Sequence, residues 1–180
     1  LPLPDADEDV ESLEVVLPGA APTSDVQRVT GLKLKASLAR LKRRGLPAAP
    51  VLCADTTVAL GRRILGKPTD EAEACRMLAD LAGRQHRVLT AVAVGVPRTR
   101  GADRTWASLS VSRVTFEPLS AAQIRRYVAS GEPMGKAGAY AIQGLAALWT
   151  SHISGSYSGI MGLPAFETAQ LLSAAGLRLP

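Results

Sequence analysis

The chain has 180 residues, enough for one domain with two lobes and for a full hydrophobic core, and its 47% apolar and 21% charged content is ordinary globular composition. Lys and Arg number 21 against 16 Asp and Glu, and the net charge of +5 suits an anionic ligand but is too scattered to argue for nucleic acid. No apolar run approaches the ~20 residues of a bilayer span, and the acidic opening LPLPDADEDVE is unlike a signal peptide. Residues 1–24, with Pro18, Gly19 and Pro22, read as mostly irregular. Ser24 or Asp25 then caps an expected helix over about 25–44, with Leu34, Leu38 and Leu41 at helical spacing and Gly45 and Pro47 as its stop. Val51–Ala54 reads as a short buried strand, and Gly61 and Gly66 bracket a turn or hairpin. Thr69 is the expected cap of a second helix that buries Ala74, Met77, Leu78 and Leu81 and ends at Gly83.

The run from Val88 to Val96 is a β-rich buried strand, and Trp106–Phe116 its hairpin partner across the polar link 97–103. Ser120 and Gln123 form a capping box ahead of a helix that buries Ile124, Tyr127 and Val128. Leu145–Ile153 reads as a further strand, and Pro164 opens a last helix with Thr168, Leu171, Leu172 and Ala175 inward. The order combines βα units with a hairpin, so the expected class is α/β with a mixed β-sheet and flanking helices. Cys53 and Cys75 lie in apolar patterns and read as reduced thiols of a cytoplasmic protein.

The residues suited to chemistry are carboxylates and lysines. His86 and His152 are isolated, no zinc spacing occurs, and there is no P-loop, GxGxxG or GxSxG pattern. Asp55 directly follows the expected strand, beside Thr56 and Thr57; it reads as a metal-binding carboxylate at a crevice or as an Asx-turn. Lys67, between Gly66 and Pro68 and just ahead of a helix, suits an anion or is an exposed loop lysine. Asp5, Asp7, Glu8 and Asp9 are either a solvated tail or the source of a second metal-binding carboxylate. Lys33 and Lys35 fall on opposite faces of a helix, and one of them can point inward to a phosphate. The stretch Gly135–Gly144 permits close backbone approach to a ligand, with Lys136 supplying a charge and Gln143 an amide. Such a set suits metal-assisted hydrolysis of a phosphate ester or anhydride.

Four segments together carry a family resemblance: Ala54-Asp55-Thr56-Thr57-Val58, Leu65-Gly66-Lys67-Pro68, Gly131-Glu132-Pro133 through Gly144, and Gly155-Ser156-Tyr157 through Gly162-Leu163-Pro164. In this order and spacing they resemble the Maf family of nucleoside triphosphate pyrophosphatases, also called septum-formation inhibitors, from about Pro4 to the C-terminus. The resemblance implies an α/β fold like that of the inosine triphosphate pyrophosphatases, with two lobes. It implies hydrolysis of the α–β anhydride of a nucleoside triphosphate to monophosphate and pyrophosphate, with Mg²⁺ or Mn²⁺. It makes Asp55 and Glu8 the metal-binding and water-activating carboxylates, and Lys67 a charge neutraliser. Leu34-Lys35-Ala36 resembles the family's KA helix, which favours Lys35 over Lys33 as a substrate contact, together with Lys136 and Gln143. The form of residues 136–144 is similar to the branch that acts on dTTP, UTP and modified uridine triphosphates.

Two departures accompany the resemblance. The expected single Maf-like domain, residues 1–180, lacks the family's opening strand and its Ser-x-Ser-Pro-Arg-Arg motif. Gly135 stands where the family usually has Asp, and Ala141 where it usually has Gly. The competing function is a non-catalytic nucleotide-binding or cell-division interaction protein. A basic RNA-binding module is the third, disfavoured by an aromatic content of 4%. The expected partners are a nucleoside triphosphate and, as the family often dimerises, a second copy of the chain; neither membrane nor nucleic acid is expected.

Overall fold

A computed structural model describes residues 11–179. Its helices are α1 (Pro22–Arg43), α2 (Glu71–Leu81), α3 (Ala121–Val128), α4 (Tyr157–Met161) and α5 (Ala165–Ala174). Its strands are β1 (Val51–Leu60), β2 (Arg63–Leu65), β3 (Gln85–Val96), β4 (Arg104–Phe116) and β5 (Thr150–Ser154), in one sheet of order β2-β1-β3-β4-β5. The class is α/β, helices flanking a sheet, as expected. The five strands run antiparallel, however, where the βα order had suggested a mixed sheet. The cause is the tight β1–β2 hairpin, with Val58 opposite Leu65 and Leu60 opposite Arg63: it reverses the chain before α2. None of the described helices is long and apolar enough to cross a membrane.

The chain divides into two compact units. The first comprises the residues through Asp55, Ala91–Leu109 and the chain from Ala165; the second comprises Thr56–Thr90 and Ser110–Pro164. In the first unit, alternate residues of the same strands pack on different helices. Val51, Cys53 and Ala93 meet Leu34, Leu38 and Leu41 of α1, while Leu52, Ala54, Val92 and Val94 meet Leu171 and Leu172 of α5. Covering both faces is why these strands read as unbroken apolar runs. Gly95 lets α1 approach closely, because a Cβ there would lie 2.7 Å from Leu38 Cδ1. α1 starts at Pro22, earlier than expected, with Ala21 as its uncapped N-cap residue. Pro22 needs no N–H partner in the first turn, and Asp25 is instead buried inside the helix, 2.7 Å from Arg28.

The second unit's core joins Leu78 and Leu81 of α2, Ile124 and Tyr127 of α3, and Val58, Val88, Val114 and Phe116 of the sheet. Each fully buried leucine contributes about 2 kcal/mol relative to exposure. The Ser120–Gln123 capping box forms as read. The N-cap of α2 is Asp70 rather than Thr69; it accepts from Glu73 N–H, while the Glu73 carboxylate accepts from the Thr69 N–H and hydroxyl. The expected strand over 145–153 forms only in its second half. Leu145–Trp149 is a 3₁₀ turn, because Glu132 captures the Leu145 N–H before a sheet partner can. Short helix α4, unforeseen, is capped by Ser156 and stopped by Gly162 at φ +116°.

His86 sits in this core, its Nε2 2.8 Å from the Tyr140 hydroxyl and its ring edge-on to Phe116. Burial lowers its pKa to about 4. In the unfolded chain the imidazole titrates near 6.5, so the unfolded state binds more protons between those values. Stability is therefore complete above about pH 6.5 and falls as the pH drops toward 4, by about 3 kcal/mol from this group. Urea unfolding at pH 7 and pH 4.5 should show most of that loss in the wild type and a much shallower slope in His86→Gln. Equal slopes would remove His86 as the cause.

Candidate active site

In the first unit the expected carboxylate has a different setting from a turn. Asp55 is the fifth residue of the ten-residue β1, not the residue after a strand, which removes the Asx-turn reading. It continues the Val51–Cys53 row that faces α1. Ser37 Oγ lies 3.7 Å from Cys53 Sγ. Four helical residues rise ~6 Å and two strand residues ~6.7 Å, so the next pair along is Lys33 with Asp55. Lys33 Nζ donates to Asp55 Oδ1 at 2.5 Å and to Glu14 Oε1 at 2.6 Å, with all three side chains less than a third exposed. Burial pulls the Lys33 pKa down, but hydrogen bonds and charge from Asp55 and Glu14 outweigh it and hold the pKa above the ordinary lysine value.

Lys33, not Lys35, therefore meets Asp55. Two residues rotate a helix by about 200°, and Lys35 is exposed on a different side of α1. There it lines a cavity of about 570 Å³ with Leu38, Lys42 and Trp106. A signal for this was present, since Val26, Val29, Thr30 and Lys33 share one helical stripe, and the first three are buried. Glu14 had no such signal: it lies in a short 3₁₀ turn, Glu11–Glu14, in a stretch read as irregular. Glu8 lies outside the described residues.

Among the described residues no three His, Cys, Asp or Glu cluster to hold a metal by themselves. Glu14 and Asp55 nevertheless direct carboxylate oxygens at one cation, the Lys33 ammonium. Two hard oxygen donors, completed by substrate phosphates, are the usual holding for Mg²⁺, so the donor set fits such an ion.

The second unit holds the other expected residues. Lys67 is exposed in the turn between β2 and α2, and the preceding Gly66 carbonyl accepts the N–H of Gly138 at 3.0 Å. That bond ties the lysine's turn to the stretch 135–144. Gly138 has φ +70°, and a Cβ on it would lie 2.9 Å from Val58, so only glycine fits. Lys136 and Gln143 are both exposed on this stretch. The fourth motif is anchored to the sheet by hydroxyls. Thr90 gives its proton to Gly159 C=O at 2.7 Å, so the 2.8 Å contact between Thr56 and Thr90 is donated by Thr56. Ser112 accepts the N–H of Ser156 at 2.9 Å. Thr56 and Thr57 thus belong to the second unit, while Asp55, their neighbour on β1, belongs to the first.

The motifs that carried the resemblance are the ones these contacts hold in place. The family described as Maf-like protein matches residues 2–175. The chain belongs to the Maf family. It is 66% identical over 98% of its length to the dTTP/UTP pyrophosphatase of Albidiferax ferrireducens, covering 86% of that protein. It is 64% identical to the one of Polaromonas sp., covering 85% of it, and 59% identical to the one of Cupriavidus metallidurans, also covering 85%. In this Maf protein 98% and 97% of the chain, respectively, enter those two matches.

Proposed function

We propose that this Maf protein is a nucleoside triphosphate pyrophosphatase that hydrolyses dTTP and UTP to the monophosphate and pyrophosphate. The observation that carries the reading is the Glu14–Lys33–Asp55 constellation, two carboxylates converging on one cation next to a motif of the family. Its relatives' activity supports the choice of substrate. Water attacks the α-phosphorus, the bond to the α–β bridging oxygen breaks, and that oxygen leaves on pyrophosphate. Asp55 takes the water's proton as general base. Asp55 and a second carboxylate would hold Mg²⁺ or Mn²⁺, which when bound supplies charge neutralisation on the phosphate oxygens. Glu14 and Glu8 are the two candidates for that second carboxylate. Lys33, Lys67 and Lys136 are the candidates for neutralising phosphate charge, and Gln143 for contacting the base. The free thiols Cys53 and Cys75 fit a cytoplasmic setting.

The test is pyrophosphate release from a panel of triphosphates by the full-length protein. Metal-dependent release from dTTP and UTP is expected; none from any pyrimidine triphosphate would overturn the reading and favour a non-catalytic binder. Glu14→Gln and Glu8→Gln, compared at limiting Mg²⁺, should separate the two candidate carboxylates by which one raises the metal requirement.

Lys67→Ala tests that lysine's part in the reaction. A charge-assisted contact typically contributes about 1.5–3 kcal/mol, and charge grows on pyrophosphate only as it leaves. The variant should therefore lose roughly ten- to a hundredfold in kcat with KM nearly held. Lys67→Arg should rescue poorly, because a planar fork does not replace a compact ammonium between Gly66 and Pro68. Wild-type constants in Lys67→Ala would take this lysine out of the reaction.

A further inference from the structure

Gln143 is exposed, yet the turn that carries it is held at both ends by one pair of side chains. Tyr127, on the inward side of α3, is buried, and its hydroxyl donates to Glu132 Oε1 at 2.8 Å. The same hydroxyl accepts the N–H of Ala141 at 3.3 Å. The other oxygen, Glu132 Oε2, accepts the N–H of Leu145 at 3.1 Å. Ala141 and Leu145 stand two residues before and two after Gln143. Between them the Gly144 N–H closes onto the Ala141 carbonyl at 3.0 Å. A Cβ on Gly144 would lie 2.2–2.5 Å from the Glu132 carboxylate and would displace it from the turn. The Trp149 ring meets Tyr127 edge-on at 4.9 Å and fixes the phenol's direction. Burial, then the Glu132 hydrogen bond, push the Tyr127 pKa well above the ordinary value, so the hydroxyl stays a donor.

We propose that Tyr127 and Glu132 are positioning residues that clamp the Ala141–Leu145 turn and thereby make Gln143 discriminate between pyrimidine bases. The inference rests on the reading of Gln143 as a base contact. The chemistry makes a clamp necessary. A carboxamide carries an acceptor and a donor side by side. In one orientation they match N3–H and O4 of uracil or thymine; turned end for end they match N3 and the N4 amine of cytosine. Discrimination then depends on how firmly the residue is held, and a loosely held turn pays its ordering cost on binding.

The experiment compares wild type, Tyr127→Phe, Glu132→Gln and Gln143→Ala. Tyr127→Phe deletes one oxygen and should raise KM for dTTP about tenfold with kcat within about twofold, while the preference for dTTP over dCTP falls about tenfold. Added to Gln143→Ala it should cost nothing further, because both act on one contact. Amide hydrogen exchange at Ala141 and Leu145 should quicken at least ~tenfold in the free variant. Unchanged exchange, an unchanged base preference, or an additive double variant would each overturn the proposal. Should Tyr127→Phe fail to fold, Glu132→Gln carries the same measurements, since it replaces one of the two accepting oxygens by an NH2 donor. A wild-type protein without turnover on any pyrimidine triphosphate would instead overturn the function proposed above, with the exchange result still deciding whether the clamp exists.

Discussion

Asp55→Asn should lower turnover at least ~10²-fold at saturating Mg²⁺, a loss of the size that general-base help provides. The substitution keeps the side chain's shape and leaves an oxygen that can still accept from Lys33 Nζ, now 2.5 Å away. It removes the negative charge, and with it both metal affinity and the capacity to take a proton from water. Asp55 lies in mid-strand between covered residues of β1, so the fold should survive, which thermal unfolding checks. The lysine should also become easier to deprotonate, because the Asp55 hydrogen bond and charge are among the causes that hold its pKa up. Turnover near the wild-type rate would reduce Asp55 to a structural ion-pair partner and move the general base elsewhere.

Lys33→Met should lower kcat/KM about a hundredfold, whereas Lys35→Met should stay within about twofold of the wild type. Methionine preserves most of the stem's packing, so the comparison isolates the ammonium. Its loss deprives the Glu14 and Asp55 carboxylates, 27% and 16% exposed, of the ammonium they share. Part-buried pairs lie between the exposed and buried limits, and a cost of about 1–2 kcal/mol at neutral pH is expected. The ammonium attracts these carboxylates only where they are ionised. That contribution is present in the wild type at neutral pH and lost as the pH falls and they take up protons. Denaturant unfolding from pH 4 to pH 8 should show the variant's deficit growing toward alkaline pH. Equal activities for Lys33→Met and Lys35→Met would place neither lysine at the phosphates.

The sequence by itself determined the helices α2 and α3, the β3–β4 hairpin, the α/β class and the family. These rest on signals within a few residues: the Ser120–Gln123 box, the Ala74–Leu81 stripe, the Val88–Val96 run, and motifs whose glycines are demanded by local backbone or a close neighbour. Tertiary structure decided what lies opposite what. Asp55 looked like the end of a strand because an acid interrupts an apolar run. β1 carries it onward because Lys33, 22 positions away, supplies the charge that lets a carboxylate stay there. Which of Lys33 and Lys35 meets Asp55 depended on which face of α1 packs on β1. Leu145–Trp149 has strand composition, but its first N–H was claimed by Glu132, a contact no periodicity encodes. Local signals specify elements because their hydrogen bonds close within a turn or a cap. Pairings across 13, 19 or 22 positions depend on packing, where burial makes an unpaired polar group costly and so selects its partner.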